Sequence, residues 1–235
     1  MTDAPISRIQ KRRNKKFNQM LEHAMKLIVK DGFSSLTMRT LANSLDITPG
    51  ALYRYFPSKG HIIGALGNQI LETYTQSMKK ATVAAKQSCK DLSPKERSIF
   101  ILCSIAKEYF SISIQSAEKY RILQMIMTDE TRYMTNPEDY AKFMNGSMEL
   151  LQYVALQYDE ATKAKAIHEG NGFERALILF TLLQGSLQLI KFGQEMPQSI
   201  NPIQIFALGL SNHLLGLGAS KEQVDTTIQH LYIEG

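Results

Sequence analysis

The sequence has very little cysteine. Cys89 and Cys103 are the only two in 235 residues. They lie outside any metal-ligand spacing, and neither sits beside a histidine or a basic cluster that would hold a thiolate. A disulfide framework is therefore excluded, and a reducing compartment would keep both as thiols. Long hydrophobic runs are also missing: no apolar stretch reads as long enough to cross a bilayer. The N-terminus is polar and basic, without an apolar segment and cleavage site. These absences predict a cytoplasmic protein with no membrane partner. There is no strand pattern and no internal repeat, which leaves an all-α fold. The five histidines, His23, His61, His168, His213 and His230, show no HExxH-like spacing and have no neighbouring Cys/Asp cluster. No metal, cofactor or convergent catalytic set is expected, and the chain does not read as an enzyme.

Charge is what the sequence does have, and it is unevenly placed. Residues 1–61 carry 11 Lys or Arg against 4 Asp or Glu, a formal +7, whereas residues 62–235 carry 16 against 18, or −2. The positive field belongs to the first quarter of the chain, which calls for a polyanionic partner bound with salt-sensitive affinity. Lys11, Arg12, Arg13, Lys15 and Lys16 would form a solvated helix face if they stood alone. Beside the segment described next they read as a phosphate-facing arm.

Residues 37–56 read as two short helices joined by a tight turn. Thr37 can cap the first, whose apolar face is Met38, Leu41, Ala42 and Leu45. Asp46 falls at the corner, where aspartate tolerates a left-handed conformation, and Ile47 pins the corner to the core. Thr48 can cap the second helix, with Pro49 at its first position and Gly50 leaving the helix start bare enough for a phosphate to approach. Leu52 and Phe56, four apart, face inward, which turns Tyr53 elsewhere. Pro57 ends the helix and Ser58 can cap the next. Lys59 then places a cation where the helix dipole prefers an anion, a mismatch that a bound phosphate would resolve.

The run T-x-R-x-L-A-x-x-L-x-I-T-P-G-A-L-Y-R-Y-F-P-S-K over residues 37–59 resembles the DNA-binding signature of TetR-family transcriptional regulators, and the likeness is dense over residues 18–63. It departs at Asp46, where many such corners carry glycine, and at Gly60, where the family usually has an acidic residue. The resemblance implies a helix-turn-helix domain over residues 1–61 and a helical ligand-binding and dimerisation domain over residues 62–235. Thr37, Arg39, Tyr55 and Lys59 would hold backbone phosphates. Thr48, Pro49, Gly50 and Tyr53 would sit at the major groove, with Tyr53 and Thr48 placed for base contact.

The rest of the chain reads as helices throughout. A first helix over residues 11–30 buries Phe17, Met20, Leu21, Ala24, Leu27 and Ile28 and ends at Gly32. Residues 1–10 carry no apolar period and are expected to order only on DNA. A helix from Ser58 to Ala85 is long enough to serve both halves, followed by a polar linker over residues 86–92. Ser93-Pro-Lys-Glu96 opens a helix with a capping box. Further helices are expected over residues 117–128, from Asn136-Pro137, over 173–192, over 203–217, and from a second capping box, Ser220-Lys-Glu-Gln223. The helices at 173–192 and 203–217 are apolar almost all round, so each must be covered on both sides, and the family pairs subunits through two such helices. Gly209 and Gly216 inside the second suggest a close backbone approach.

Together these features predict a homodimer on a pseudo-palindromic double-stranded DNA operator, acting as a repressor that a small, mainly hydrophobic effector releases. Tyr109, Arg121, Phe143, Met144, Met148, Phe180 and Gln184 are the candidate effector contacts, and Glu108, His168 and Arg175 are further polar handles. A ligand-independent architectural or co-regulatory DNA binder is the alternative, since an open cavity does not follow from sequence.

Overall fold

A computed structural model describes residues 7–128, 136–191 and 201–233. Expectations for residues 1–6 and for a helix end at Phe192 lie outside that range. Every regular element among the described residues is helical: α1 Arg8–Asp31, α2 Met38–Ser44, α3 Pro49–Tyr53, α4 Lys59–Ser88, α5 Pro94–Gln115, α6 Ala117–Thr128, α7 Pro137–Lys163, α8 Gly172–Lys191, α9 Pro202–Gly216 and α10 Lys221–Ile228. A π-helical turn, Gln229–Ile233, follows α10. The chain forms two compact units: residues to Ile70 with Arg121–Met144, and Leu71–Tyr120 with the residues from Asn145 onward. Helices α4, α6 and α7 each contribute residues to both.

The core of the first unit is the stripe expected of α1 closed by its neighbours. Met20, Leu21, Ala24 and Ile28 are buried, as are Phe33, Leu36, Leu41, Ala42, Leu52 and Phe56. Phe17 stacks on Phe56 with ring centroids 4.8 Å apart. Helix α1 stops where Gly32 adopts φ 81°, a conformation glycine accepts without a Cβ clash, and the Gly32 N–H bonds the Ile28 carbonyl at 2.9 Å. Ile62, Ile63, Leu66 and Ile70 extend this core along α4. A head this small gains much of its stability from that added helix.

In the second unit α5 is buried on most sides, through Ile99, Leu102, Cys103, Ile105, Ala106, Tyr109 and Phe110. Phe110 stacks on Phe206 of α9 with centroids 4.9 Å apart, and α9 packs along α8. The expected capping box at Ser93 is present: its hydroxyl accepts from Glu96 N, and Ser93 N donates to Glu96 Oε2 at 2.9 Å.

Several expectations need correction. Helix α3 ends at Tyr53, not Phe56, because the chain turns early to bring Phe56 under α1. Helix α1 begins at Arg8, three residues ahead of the expected start, with Ser7 Oγ accepting from Gln10 N at 3.2 Å. Helix α4 runs on to Ser88, which shortens the expected linker, and buried Ala85 and Cys89 explain why it continues. Ser220 precedes α10 without any side-chain cap bond. The close approach expected at Gly209 and Gly216 is absent: a Cβ would meet only Leu182 Cδ2 at 3.6 Å at the first and nothing within 4 Å at the second.

The expectation of no bilayer-length run also fails. Gly172–Ile190 is long and apolar enough by length and composition to cross a membrane. Its Arg175 is nonetheless buried in the second unit, donating to Thr162 Oγ1 at 3.0 Å and to the His168 carbonyl at 2.8 Å. The helix is thus anchored in the second unit through Arg175, while Leu177 and Ile178 stay exposed.

The corner between α2 and α3 holds a residue other than glycine in the left-handed region. Asp46 has φ 52°, and the Ile47 N–H returns to the Ala42 carbonyl at 3.1 Å. A branched side chain there is strained by about 1–2 kcal/mol, whereas aspartate tolerates it and glycine is free of it. Asp46→Val should therefore lower unfolding free energy by about that amount and Asp46→Gly should leave it within about 0.5 kcal/mol, as measured by urea denaturation.

Candidate nucleic-acid interface

The interface is built on two caps and one buried leucine. At the start of α2, Thr37 Oγ1 accepts from Thr40 N at 3.0 Å while Thr37 N donates to Thr40 Oγ1 at 2.9 Å. Threonine thus fills the place that Glu or Gln takes in most capping boxes. Thr40 Oγ1 also donates to the Ser35 carbonyl at 2.7 Å, tying α2 to the loop before it. Arg39, in the same first turn, is exposed. At the start of α3, Thr48 Oγ1 accepts from Ala51 N at 3.3 Å and Pro49 takes the first helical position.

Leu52 is fully buried, and that decides where Tyr53 goes. The next residue on a helix lies about 100° round the axis, so burying Leu52 turns Tyr53 outward, where it is half exposed. Thr48, Pro49 and Gly50 are exposed beside it, and a Cβ at Gly50 would meet nothing within 4 Å. Tyr55 and Lys59 are half-buried. Lys59 Nζ donates to the Phe33 carbonyl at 2.5 Å, so the mismatch expected between this cation and the α4 dipole is partly met inside the protein. Thr37 is similarly committed to its cap. Of the eight predicted DNA contacts, Thr37, Arg39, Thr48, Pro49, Gly50 and Tyr53 are exposed, with the Thr37 and Thr48 hydroxyls engaged in their caps.

The predicted effector residues divide between the two units. Tyr109, Phe180 and Gln184 come together in the second: Gln184 Nε2 donates to Tyr109 Oη at 3.4 Å, and the Tyr109 and Phe180 rings meet edge to face with centroids 6.3 Å apart. Met148 belongs to the same unit and is largely exposed, whereas Arg121, Phe143 and Met144 belong to the first, with Phe143 buried and Arg121 exposed.

Three residues absent from the predicted set join the cluster. Tyr120 Oη donates to Gln184 Oε1 at 2.6 Å, and Tyr74 lies edge-on to Tyr109 with its hydroxyl 3.1 Å from Ser113 Oγ. Burial pushes the Tyr74 and Tyr120 phenols up to about 12 and the Tyr109 phenol higher still, so all three stay neutral. The one sequence signal for this cluster is Ser113, a hydroxyl on the otherwise apolar face of α5. Of the other polar handles, Glu108 accepts from Ser77, and Arg175 serves the core as described. Cys103 is buried and its thiol is pushed up to about 12, against any thiolate chemistry. No group of three or more His, Cys, Asp or Glu able to hold a metal occurs among the described residues.

Residues 20–66 match the family model for bacterial regulatory proteins of the tetR family. The nucleoid occlusion factor SlmA of Haemophilus ducreyi is 29% identical over 200 residues, covering 81% of this chain and 89% of that protein. The HTH-type transcriptional repressor KstR of Mycobacterium tuberculosis is 34% identical over 80 residues, 34% of this chain and 35% of its own length. Among solved structures, AibR in complex with isovaleryl coenzyme A and operator DNA aligns with a TM-score of 0.59 at 14% identity, over 84% of this chain and 97% of that one. That likeness concerns the fold.

The caps and the exposed cation predict different effects. Thr37→Ala should reduce stability by about 1 kcal/mol, through removal of the α2 cap. Arg39→Ala should leave the urea midpoint unchanged and lower the slope of log affinity against log salt by about 0.9 for each phosphate no longer neutralised. Denaturation and salt titrations on duplex DNA check the two.

Proposed function

From the premise that the chain belongs to the TetR family of bacterial regulatory proteins, we propose that it is a homodimeric repressor, freed from a pseudo-palindromic operator by a small, mainly hydrophobic effector. The observation that carries the DNA reading is the surface around α3: Thr48, Pro49, Gly50 and Tyr53 are exposed together while Leu52 beneath them is fully buried. In this reading residues 1–61 read the DNA, residues 62–235 bind the effector and the second subunit, and the protein acts in the cytoplasm without metal or cofactor. Thr48 and Tyr53 address bases. Thr37, Arg39, Tyr55 and Lys59 address phosphates, Thr37 through the backbone geometry its cap fixes.

Dimerisation is supported by apolar surface that a lone chain leaves open. Leu177 and Ile178 of α8 and Ile203, Ile205 and Leu208 of α9 are all exposed, Leu208 by 58%. Two recognition helices on a dimer can match half-sites about 34–36 Å apart or a multiple of that, which one cannot. An effector releases DNA only by binding better to the form whose heads are wrongly spaced, and α4, which contributes to both units, would carry that displacement. The neutral phenols, the amide of Gln184 and the ring of Phe180 support an uncharged, largely apolar effector. The AibR structure, in complex with isovaleryl coenzyme A and operator DNA, is an example of a small molecule bound in the same fold, one whose acyl group is apolar and whose coenzyme A part is charged.

A ligand-independent DNA-binding role is the second reading. Its support is the likeness to SlmA, a nucleoid occlusion factor, which spans most of this chain. Titrating metabolite pools against the protein–operator complex separates the two: release by a small molecule supports the repressor, and complexes that persist through every fraction support the alternative.

For DNA recovered by selection from random sequence, Tyr53→Ala combined with Lys59→Ala should weaken specific binding by about 2–4 kcal/mol, since the pair removes one group that addresses a base and one that addresses a phosphate. Unchanged specific binding would rule out the assignment. Ile178→Asp with Leu208→Asp should give monomers in sedimentation and abolish tight operator binding, because single heads read too few base pairs.

A further inference from the structure

Beside the turn that carries Lys59 lies a set of polar contacts that the DNA reading does not use. His61, in the first turn of α4, has both ring nitrogens engaged. Nδ1 is 2.9 Å from Ser58 Oγ, and Nε2 faces Nδ2 of Asn136, the residue before α7. The orientation of that amide is fixed, because Asn136 Oδ1 accepts the backbone N–H of Glu138 at 2.9 Å and so holds the first turn of α7. What Asn136 turns toward the ring is therefore its NH2, which can only donate. Nε2 must accept, so the ring proton sits on Nδ1 and is donated to Ser58. These contacts fit an imidazole whose proton is on Nδ1.

A proton on Nε2 would set two donors against each other. One turn further along both helices stands a group that suits the charged ring. Asp139 follows Asn136 by three residues and Gly64 follows His61 by three, so the four occupy facing turns of α7 and α4. A Cβ at Gly64 would lie 2.5 Å from Asp139 Cβ and 3.1 Å from its Oδ2, so the carboxyl lies against the α4 backbone because position 64 is glycine. Asn68 Nδ2 donates to the Gly64 carbonyl at 2.8 Å and reaches the Asp139 carbonyl at 3.5 Å across the same contact.

Among the described residues, Asp139 Oδ2 is buried there with no hydrogen-bond partner. Such an oxygen is costly to leave unmet. Burial pushes the Asp139 carboxyl above its usual range; a charged His61 lowers it, Glu138 raises it and Lys142 lowers it. Among the described residues, Lys59 and His61 on α4 and Glu138, Asp139 and Lys142 on α7 are the charged or titratable groups around the contact.

We propose that His61 is a proton-operated latch on the DNA-reading head: uncharged it holds Asn136, and charged it releases Asn136 and pairs with Asp139. This rests on the DNA-binding reading above and adds a regulation to the same head. Releasing Asn136 frees the start of α7 from the Ser58–Lys59 turn, whose lysine is a proposed phosphate contact, and weakens operator binding. The sign is diagnostic. An added positive charge acting only through space would tighten binding to a polyanion.

The test measures affinity for a duplex selected from random sequence, at about pH 8 and about pH 6 and constant ionic strength, a range in which histidines commonly change charge. Wild type should weaken about tenfold on acidification, and both His61→Gln, whose amide can accept from Asn136 without ever charging, and Asp139→Asn should change by less than about twofold. An equal response in wild type and His61→Gln, or tighter wild-type binding at the lower pH, overturns the latch. Imidazole nitrogen spectra of the wild-type protein decide it without DNA: the Nδ1–H tautomer of His61 at the higher pH, and faster exchange of the Glu138 amide once the ring is charged, are expected. An Nε2–H tautomer overturns the latch. Should selection recover no duplex, the DNA-binding reading fails, and the spectra alone then settle whether the latch exists.

Discussion

The burial of Leu52 and Phe56 is the constraint on which the surface proposed to face DNA depends. Both side chains are almost completely enclosed, Phe56 stacking on Phe17 of α1. With these two fixed, α3 has no rotational freedom left, and Tyr53 and the Thr48–Gly50 start are directed outward without needing contacts of their own. This is why five residues of helix suffice. A helix that short would not hold its shape in water, and here the core and the Thr48 cap hold it. The cap on α2 does the same for its own first turn, so the exposed groups stand on a rigid support, as specific contact with base edges requires.

The second unit obeys a different constraint. Helices α8 and α9 are apolar on more sides than one chain can cover, and what remains is an open strip that includes Ile178 and Leu208. Exposed apolar area of this kind favours burial against a second surface. Inside the same unit a few polar groups, Tyr74, Ser113, Tyr109, Gln184 and Tyr120, satisfy one another in an apolar setting. They are uncharged, and burial keeps them so. Recognition there would depend on shape and on neutral hydrogen bonds.

Most of the helix order was legible, since caps and apolar spacing are local signals. Ser93-Pro94, Asn136-Pro137 and Asn201-Pro202 each open a helix where the residues indicate. The left-handed corner at Asp46 was legible for the same reason. Failures came where a local signal met a distant demand. Ser220 has capping-box neighbours but makes no side-chain cap bond. Helix α3 stops three residues early because Phe56 is drawn under α1. Lys59 looked available to a phosphate, yet its ammonium already meets the carbonyl of Phe33, 26 residues away in sequence.

Sequence alone determined the helical class, the positive excess of the first quarter, and the capping residues of the helices that we propose face DNA, because periodicity, capping and net charge need no knowledge of what lies across from them. Tertiary structure alone decided which of those side chains are free and which are occupied. It also decided that Tyr120, Gln184 and Tyr109 form one hydrogen-bonded run, and that His61 stands between Ser58 and Asn136, 75 residues further on. Such pairings depend on distances between segments remote in the chain, and those are set by how the whole apolar interior packs.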